Sequence, residues 1–182
     1  MRPLTEQESK QLFDKLAKYI GGNTKHLLEP RSNGVEWVFR LHDHRIWYMP
    51  SPLAKLSSCI AKKNLMGIGV LIAKITHHDH IRIQVTALDV IAPLALFKVW
   101  VKPNQEQSYL YGNHISRAGL GRITEDTPQY QGVAVFNMGD IAIGFGVAAQ
   151  GTMQCRRCEM NTTVLFHEAD VGEYLRDEQT LT

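Results

Sequence analysis

Residues 109–131, YLYGNHISRAGLGRITEDTPQYQ, decide how this chain is read. Helical spacing ahead of the stretch runs into Gly112, and glycine ends helices because it takes left-handed backbone angles without steric cost. A glycine-rich turn follows, with Arg117 and Arg122 flanking Gly119 and Gly121. Backbone amides freed by glycines, together with two guanidiniums, offer a phosphate-sized docking surface. Contacts of that kind position RNA without reading its sequence. The same spacing also describes a tight turn with two exposed arginines, and it does not choose between the two.

Outward from this turn the pattern predicts short strands over 97–102, 120–124, 132–137, 141–149 and 162–166. Asn104 is the expected cap of the helix before Gly112, and a last helix is expected over 169–178. Many short strands separated by glycine turns suggest a small barrel or rolled sheet. Before residue 93 the elements are longer. Thr5 and Glu8 form a capping box, and Leu12, Phe13, Leu16, Ala17 and Ile20 follow at helical spacing until Gly21-Gly22. Lys10, Lys15 and Lys18 mark its solvated side. Strands are predicted over 35–41 and 46–49, with His42-Asp43-His44 as their turn. Ser51-Pro52 starts a helix reaching about residue 60. A second hairpin joins 67–76 to 81–86 through His77-His78-Asp79-His80. Thr86 and Asp89 would cap a short helix ending at Pro93. The boundary falls near 93–96, giving domains of 1–94 and 95–182.

The chain has 182 residues, 44% hydrophobic and 21% charged, which is ordinary globular usage and argues against disorder. No apolar run is long enough for a membrane helix, no secretory leader is expected, and three cysteines suit a reducing compartment. The net charge of +2 hides an asymmetry. Residues 1–94 carry 13 Lys/Arg against 8 Asp/Glu, a net +5, while residues 95–182 carry 7 against 10, a net −3. Neither half advertises nucleic acid by charge alone.

Other candidate chemistry reads as structural. Cys155 and Cys158 form a CxxC without a second pair, so a loop with two incidental thiols is expected rather than a zinc or redox site. His42/His44 and His78/His80 are HxH pairs at turns, where exposed polar residues are normal, although two such turns at one end of a sheet would keep metal binding conceivable. No metal and no cofactor is expected. Thr86-Ala87-Leu88-Asp89 is distantly similar to the catalytic aspartate loop of pseudouridine synthases, but helix capping accounts for Asp89. Gly144-Phe145-Gly146 lacks the Lys-Ser/Thr of a phosphate loop and fits a close approach of two backbones.

Three segments then carry a resemblance: KVWVKPNQEQSYLYGNHISRAGLGRIT (98–124), QYQGVAVFNMGDIAIGFGVAAQ (129–150) and VLFHEADVGEYLRDEQTLT (164–182). They resemble the PUA domain of the Nip-seven ribosome-biogenesis factors, of the eukaryotic type. The opening MRPLTEQESKQLFDKLAKYIG and RIQVTALDVIAP (82–93) resemble the same family's N-terminal domain. The resemblance covers essentially the whole chain. It implies an α+β fold: an N-terminal α/β domain with an antiparallel sheet and flanking helices, then a C-terminal PUA pseudo-β-barrel. It further implies a nuclear, nucleolar, non-catalytic factor of large-subunit (60S) assembly, monomeric outside the pre-ribosome. Its expected partners are uridine-rich single-stranded pre-rRNA and other pre-60S factors. The RNA-binding positions carried over are Arg117, Gly119, Gly121 and Arg122, with Arg156 and Arg157 toward the end of the domain. An acidic run, Glu168, Asp170, Glu173, Asp177 and Glu178, follows them. Tyr130 is a further candidate for base stacking, or else a core residue. The alternative is a protein–protein adaptor that touches no RNA itself.

Overall fold

Thr5 and Glu8 cap the first helix reciprocally. The Glu8 N–H donates to Thr5 Oγ1 at 3.2 Å, and the Thr5 N–H donates to Glu8 Oε2 at 2.8 Å. Arg2 forks onto the same carboxylate at 2.6 and 2.9 Å, and that pairing holds the Glu8 carboxyl down to about 2. Helix α1 (Glu6–Ile20) buries Leu12, Leu16, Tyr19 and Ile20. Ala17, expected on the apolar side, is exposed.

The computed structural model describes residues 1–30 and 34–177. Contacts divide the described residues into two units: Met1–Ala17 with Gly22–Ala87, and Lys18–Gly21 with Leu88 to Asp177.

In the first unit β1 (Trp37–His42), β2 (Arg45–Pro50), β3 (Val70–Ile75) and β4 (Ile81–Ile83) form a sheet in that order, every neighbour antiparallel. Asp43 and His44, at φ +48° and +57°, make the two-residue turn whose twist matches the paired strands. Helix α2 (Ser51–Ser57) ends three residues earlier than expected. Successive β2 residues point to opposite faces, and both faces are covered. Tyr48 packs against Phe39, which meets Phe13 of α1 edge-on. Trp47, Met49 and Leu71 cluster on the other side with Leu53 and Ala54 of α2. Because β2 and β3 are antiparallel, the two histidine-bearing turns lie at one end of the sheet, where Ile75 N–H donates to His44 O at 2.7 Å. Strand β4 stops at Ile83, and a 3₁₀ turn over Val85–Ala87 follows. There the Thr86 hydroxyl donates to the Leu71 carbonyl instead of capping a helix.

The second unit runs α3 (Leu88–Leu94), β5 (Lys98–Val101), α4 (Pro103–Leu110), β6 (Ile115–Ser116), β7 (Leu120–Ile123), β8 (Gly132–Asn137), β9 (Ala142–Ala148), α5 (Thr152–Arg157), β10 (Thr163–Asp170) and α6 (Glu173–Arg176). The strand order β6-β10-β9-β8-β5-β7, with only β5 and β8 parallel, makes a nearly closed pseudo-barrel. Val99, Val101, Val133, Val135 and Leu165 fill it around the fully buried Tyr109. The Tyr109 hydroxyl lies 3.1 and 3.2 Å from the Phe145 and Ala169 carbonyls, so its polar end is satisfied inside the core. Gly144 and Gly146 face β10 so closely that a Cβ at either would overlap a carbonyl of that strand, Ala169 or Phe166. The close backbone approach read from this Gly-Phe-Gly is therefore present.

Three local expectations are corrected. Lys102, not Asn104, occupies the cap position of α4, because Pro103 starts the helix with its pre-set φ. The CxxC lies in α5 rather than in a loop: Cys155 is helical and buried, and Cys158 is the C-cap. Strand β10 continues to Asp170, where a helix was expected, because residues 167–170 pair with Gly144–Gly146 of β9. Helix α6 is accordingly one short turn, and Glu178 lies outside the described residues.

Candidate nucleic-acid interface

Arg117 opens a 3₁₀ turn over Arg117–Gly119 that is pinned from two directions. The N–H groups of Arg117 and Ala118 donate to the Thr162 and Met160 carbonyls at 2.8 and 2.9 Å. Lys102 donates its N–H to Gly119 O at 2.9 Å and its Nζ to Ala118 O at 3.1 Å. Two amides of the turn are thus already used by protein carbonyls. Gly119 lies under the Gln105 side chain, and a Cβ at Gly121 would sit 2.8 Å from Met138 Sδ and 3.0 Å from Trp100 O. These glycines provide clearance for the Gln105 side chain, for Met138 and for the Trp100 backbone.

Arg117 stands beside α5. Burial pushes the Cys155 thiol up, Cys158 adds to this, and the nearby Arg117 charge pulls it back. The last turn of α5 carries Arg156 and Arg157, both exposed. Arg122 belongs to a different group of side chains. It projects from β7 with its guanidinium carbon 5.6 Å from the Trp100 ring centre. Trp100 on β5 has Arg122 as cross-strand partner on one side and Phe136 of β8 on the other. The two rings are stacked at 5.9 Å and 29°, and Lys98 Nζ lies 5.3 Å from the Phe136 centre. The Trp100 indole N–H donates to Asp140 Oδ1 at 2.6 Å. Among the described residues, none of Arg117, Arg122, Arg156 and Arg157 forms an ion pair.

The structure therefore brings Arg117 to α5 and Arg122 to the Trp100 row. Lys102 links the two, since it grips the Arg117 turn and follows Trp100 by two residues on the same strand direction. Sequence reading missed Lys98, Trp100 and Lys102. Their signal was the alternation Lys-Val-Trp-Val-Lys, which puts three large polar or aromatic side chains on one face and two valines in the core. Tyr130 is 68% exposed and sits at φ +61°, so it is a surface ring and not a core residue.

Of the residues weighed for other chemistry, His44, His78 and His80 are exposed at their turns, while His42 and the two cysteines are engaged. His42 is buried with Nε2 2.7 Å from the Leu65 carbonyl, so that nitrogen carries a proton and faces no ligand. Cys155 and Cys158 sulfurs lie 3.6 and 3.5 Å from the Gln150 and Cys155 carbonyls. Asp89 is exposed in the first turn of α3. Among the described residues, only His167, Asp170 and Glu173 gather side chains of metal-ligating type. There the guanidinium of Arg176, 2.7 Å from Asp170, already supplies the positive charge.

Family models match both parts of the chain: the NIP7/UPF0113 pre-PUA domain over residues 1–85 and the UPF0113 PUA domain over 97–179. The chain belongs to the NIP7/UPF0113 family. It is 53% identical to the 60S ribosome subunit biogenesis protein NIP7 homolog of Tetraodon nigroviridis and 52% identical to that of Mus musculus, over 100% of each chain. A hypothetical protein of Pyrococcus horikoshii OT3 shares the fold with a TM-score of 0.61 at 13% identity, covering 100% of this chain and 99% of that one. A PUA-domain protein of Aeropyrum pernix K1 does so with a TM-score of 0.59 at 14% identity, covering 99% and 90%. Within the NIP7/UPF0113 frame, the Arg117 turn and the Trp100 row both lie in the PUA part.

Proposed function

We propose that the chain is a non-catalytic assembly factor of the large ribosomal subunit that holds a single-stranded, uridine-rich pre-rRNA segment. The names of its full-length relatives support the assembly role. On this reading residues 1–94 and 95–182 act as two domains, the protein works in the nucleus and nucleolus, and it is a monomer when outside the pre-ribosome. The RNA site comprises Arg117, Gly119, Gly121, Arg122, Arg156 and Arg157. The observation that carries the reading is that all four guanidiniums lack a carboxylate partner among the described residues. Arg122, Arg156 and Arg157 are exposed and Arg117 is half-buried, and guanidiniums without a carboxylate partner are available for phosphate. Contacts to other pre-60S factors through the net +5 N-terminal part would add affinity by multivalency.

Titration of the full chain with a fluorescent uridine-rich oligoribonucleotide tests this. Arg117→Ala combined with Arg122→Ala is expected to weaken binding at least tenfold while leaving thermal unfolding unchanged. Undiminished affinity in the double variant removes the site. The second reading is a protein–protein adaptor, which the net −3 of residues 95–182 favours. Absence of wild-type binding at low salt would establish that reading instead.

A further inference from the structure

The Trp100 row carries an inference that rests on the RNA reading and makes it specific. Strand β7 is the last in the sheet order, so Arg122 stands at the open end of the row Arg122–Trp100–Phe136. Its guanidinium carbon lies over the Trp100 ring, 5.6 Å from the centre, Arg122 is exposed, and no further strand pairs beyond β7. The Arg122 guanidinium has no hydrogen-bond or ion-pair partner among the described residues. The indole beneath it is itself fixed, by Phe136 at 5.9 Å and by the N–H to Asp140 at 2.6 Å.

We propose that Arg122, pre-ordered on Trp100, forms the terminal platform of a stacking row on which one base of single-stranded RNA sits. In that row Lys98 and Lys102 meet the flanking phosphates, and Trp100 is the positioning residue that makes Arg122 competent. Unpaired bases stack on guanidinium planes as well as on aromatic rings. The in-plane N–H groups of the same guanidinium remain open to a phosphate. The charges favour a nucleic acid over an acidic peptide, because a planar cation on an aromatic row adds a stacking surface that a carboxylate cannot use. Asp140 accepts the indole N–H, and neither it nor any other described carboxylate forms an ion pair with Arg122. Alternate strand residues stand roughly 6.6 Å apart, so Lys98, Trp100 and Lys102 form a track rather than a point.

The test uses the full chain and a fluorescent uridine dodecamer RNA, with affinity and intrinsic tryptophan emission read in parallel. Wild-type emission is expected to change on RNA addition, and Trp100→Phe to abolish that change. Trp100→Ala is expected to lower affinity about tenfold, with Trp100→Phe recovering most of the loss. Arg122→Gln, a surface substitution that spares folding, should match Trp100→Ala, and the two combined should be less than additive. If RNA binds but Trp100→Ala and Arg122→Gln both keep wild-type affinity, the row is not the platform and is left to a protein partner. Loss of binding in Arg117→Ala with Arg156→Ala and Arg157→Ala, in that same event, leaves the RNA reading standing without it. No RNA binding by the wild type overturns both.

Discussion

Asp170 shows how one residue ties the carboxyl end of the second unit together. It is fully buried and pairs with His167 Nε2 at 2.6 Å and Arg176 Nη2 at 2.7 Å, while Gly172 N–H donates to its other oxygen at 2.7 Å. Burial pushes its carboxyl up, but the hydrogen bonds from His167 and Arg176 outweigh that and hold it below the usual range. A carboxylate depressed in the folded state stabilises above its unfolded value, near 4, and that stability is lost as the pH falls through the folded value. Asp170→Asn leaves the Arg176 charge without its counter-charge, and because that guanidinium is exposed to solvent the cost is about 1–2 kcal/mol. Urea unfolding at pH 7 should show that loss, and the variant's stability should decline less steeply than wild type below about pH 4. Equal acid slopes would show that another group controls acid unfolding.

At the level of elements, the pseudo-barrel depends on how closely β9 and β10 approach. At Gly144 a Cβ would overlap the Ala169 carbonyl and crowd the Tyr109 hydroxyl. Gly144→Ala must either separate the strands or push Tyr109 from its carbonyl partners. Overpacking of this kind costs about 2–3 kcal/mol. Equilibrium unfolding would measure it, and amide exchange of residues 143–147 and 165–170 should accelerate with it. The CxxC also belongs to this scale. Once Cys155 enters α5 its side chain packs into the barrel core, and burial raises its thiol rather than activating it.

For the whole molecule, the charge distribution bounds what RNA binding can look like. Each phosphate contact on a single strand contributes about −0.7 to the slope of log affinity against log salt. Four arginines acting together should therefore give a slope of roughly −3. A slope near zero would mean that RNA is held without the guanidiniums, and a steeper one would bring in further cations, Lys98 and Lys102 first.

Much of this was legible before any coordinates. Thr5, Glu8 and the Leu12/Leu16/Ile20 spacing specified α1, because caps and helical periodicity are local. The positions of β5, β7, β8 and β9 followed from alternating apolar residues and flanking glycines, and the match of whole segments set the family. Tertiary structure alone decided that residues 167–170 extend β10, since their partner β9 lies more than twenty residues away in sequence. It alone decided that Gly119 and Gly121 give clearance to Gln105 and Met138, and that Arg122 rests on Trp100, because these neighbours come from other strands and helices. Local chemistry names the residues of a site; only the register between distant strands decides which of them meet.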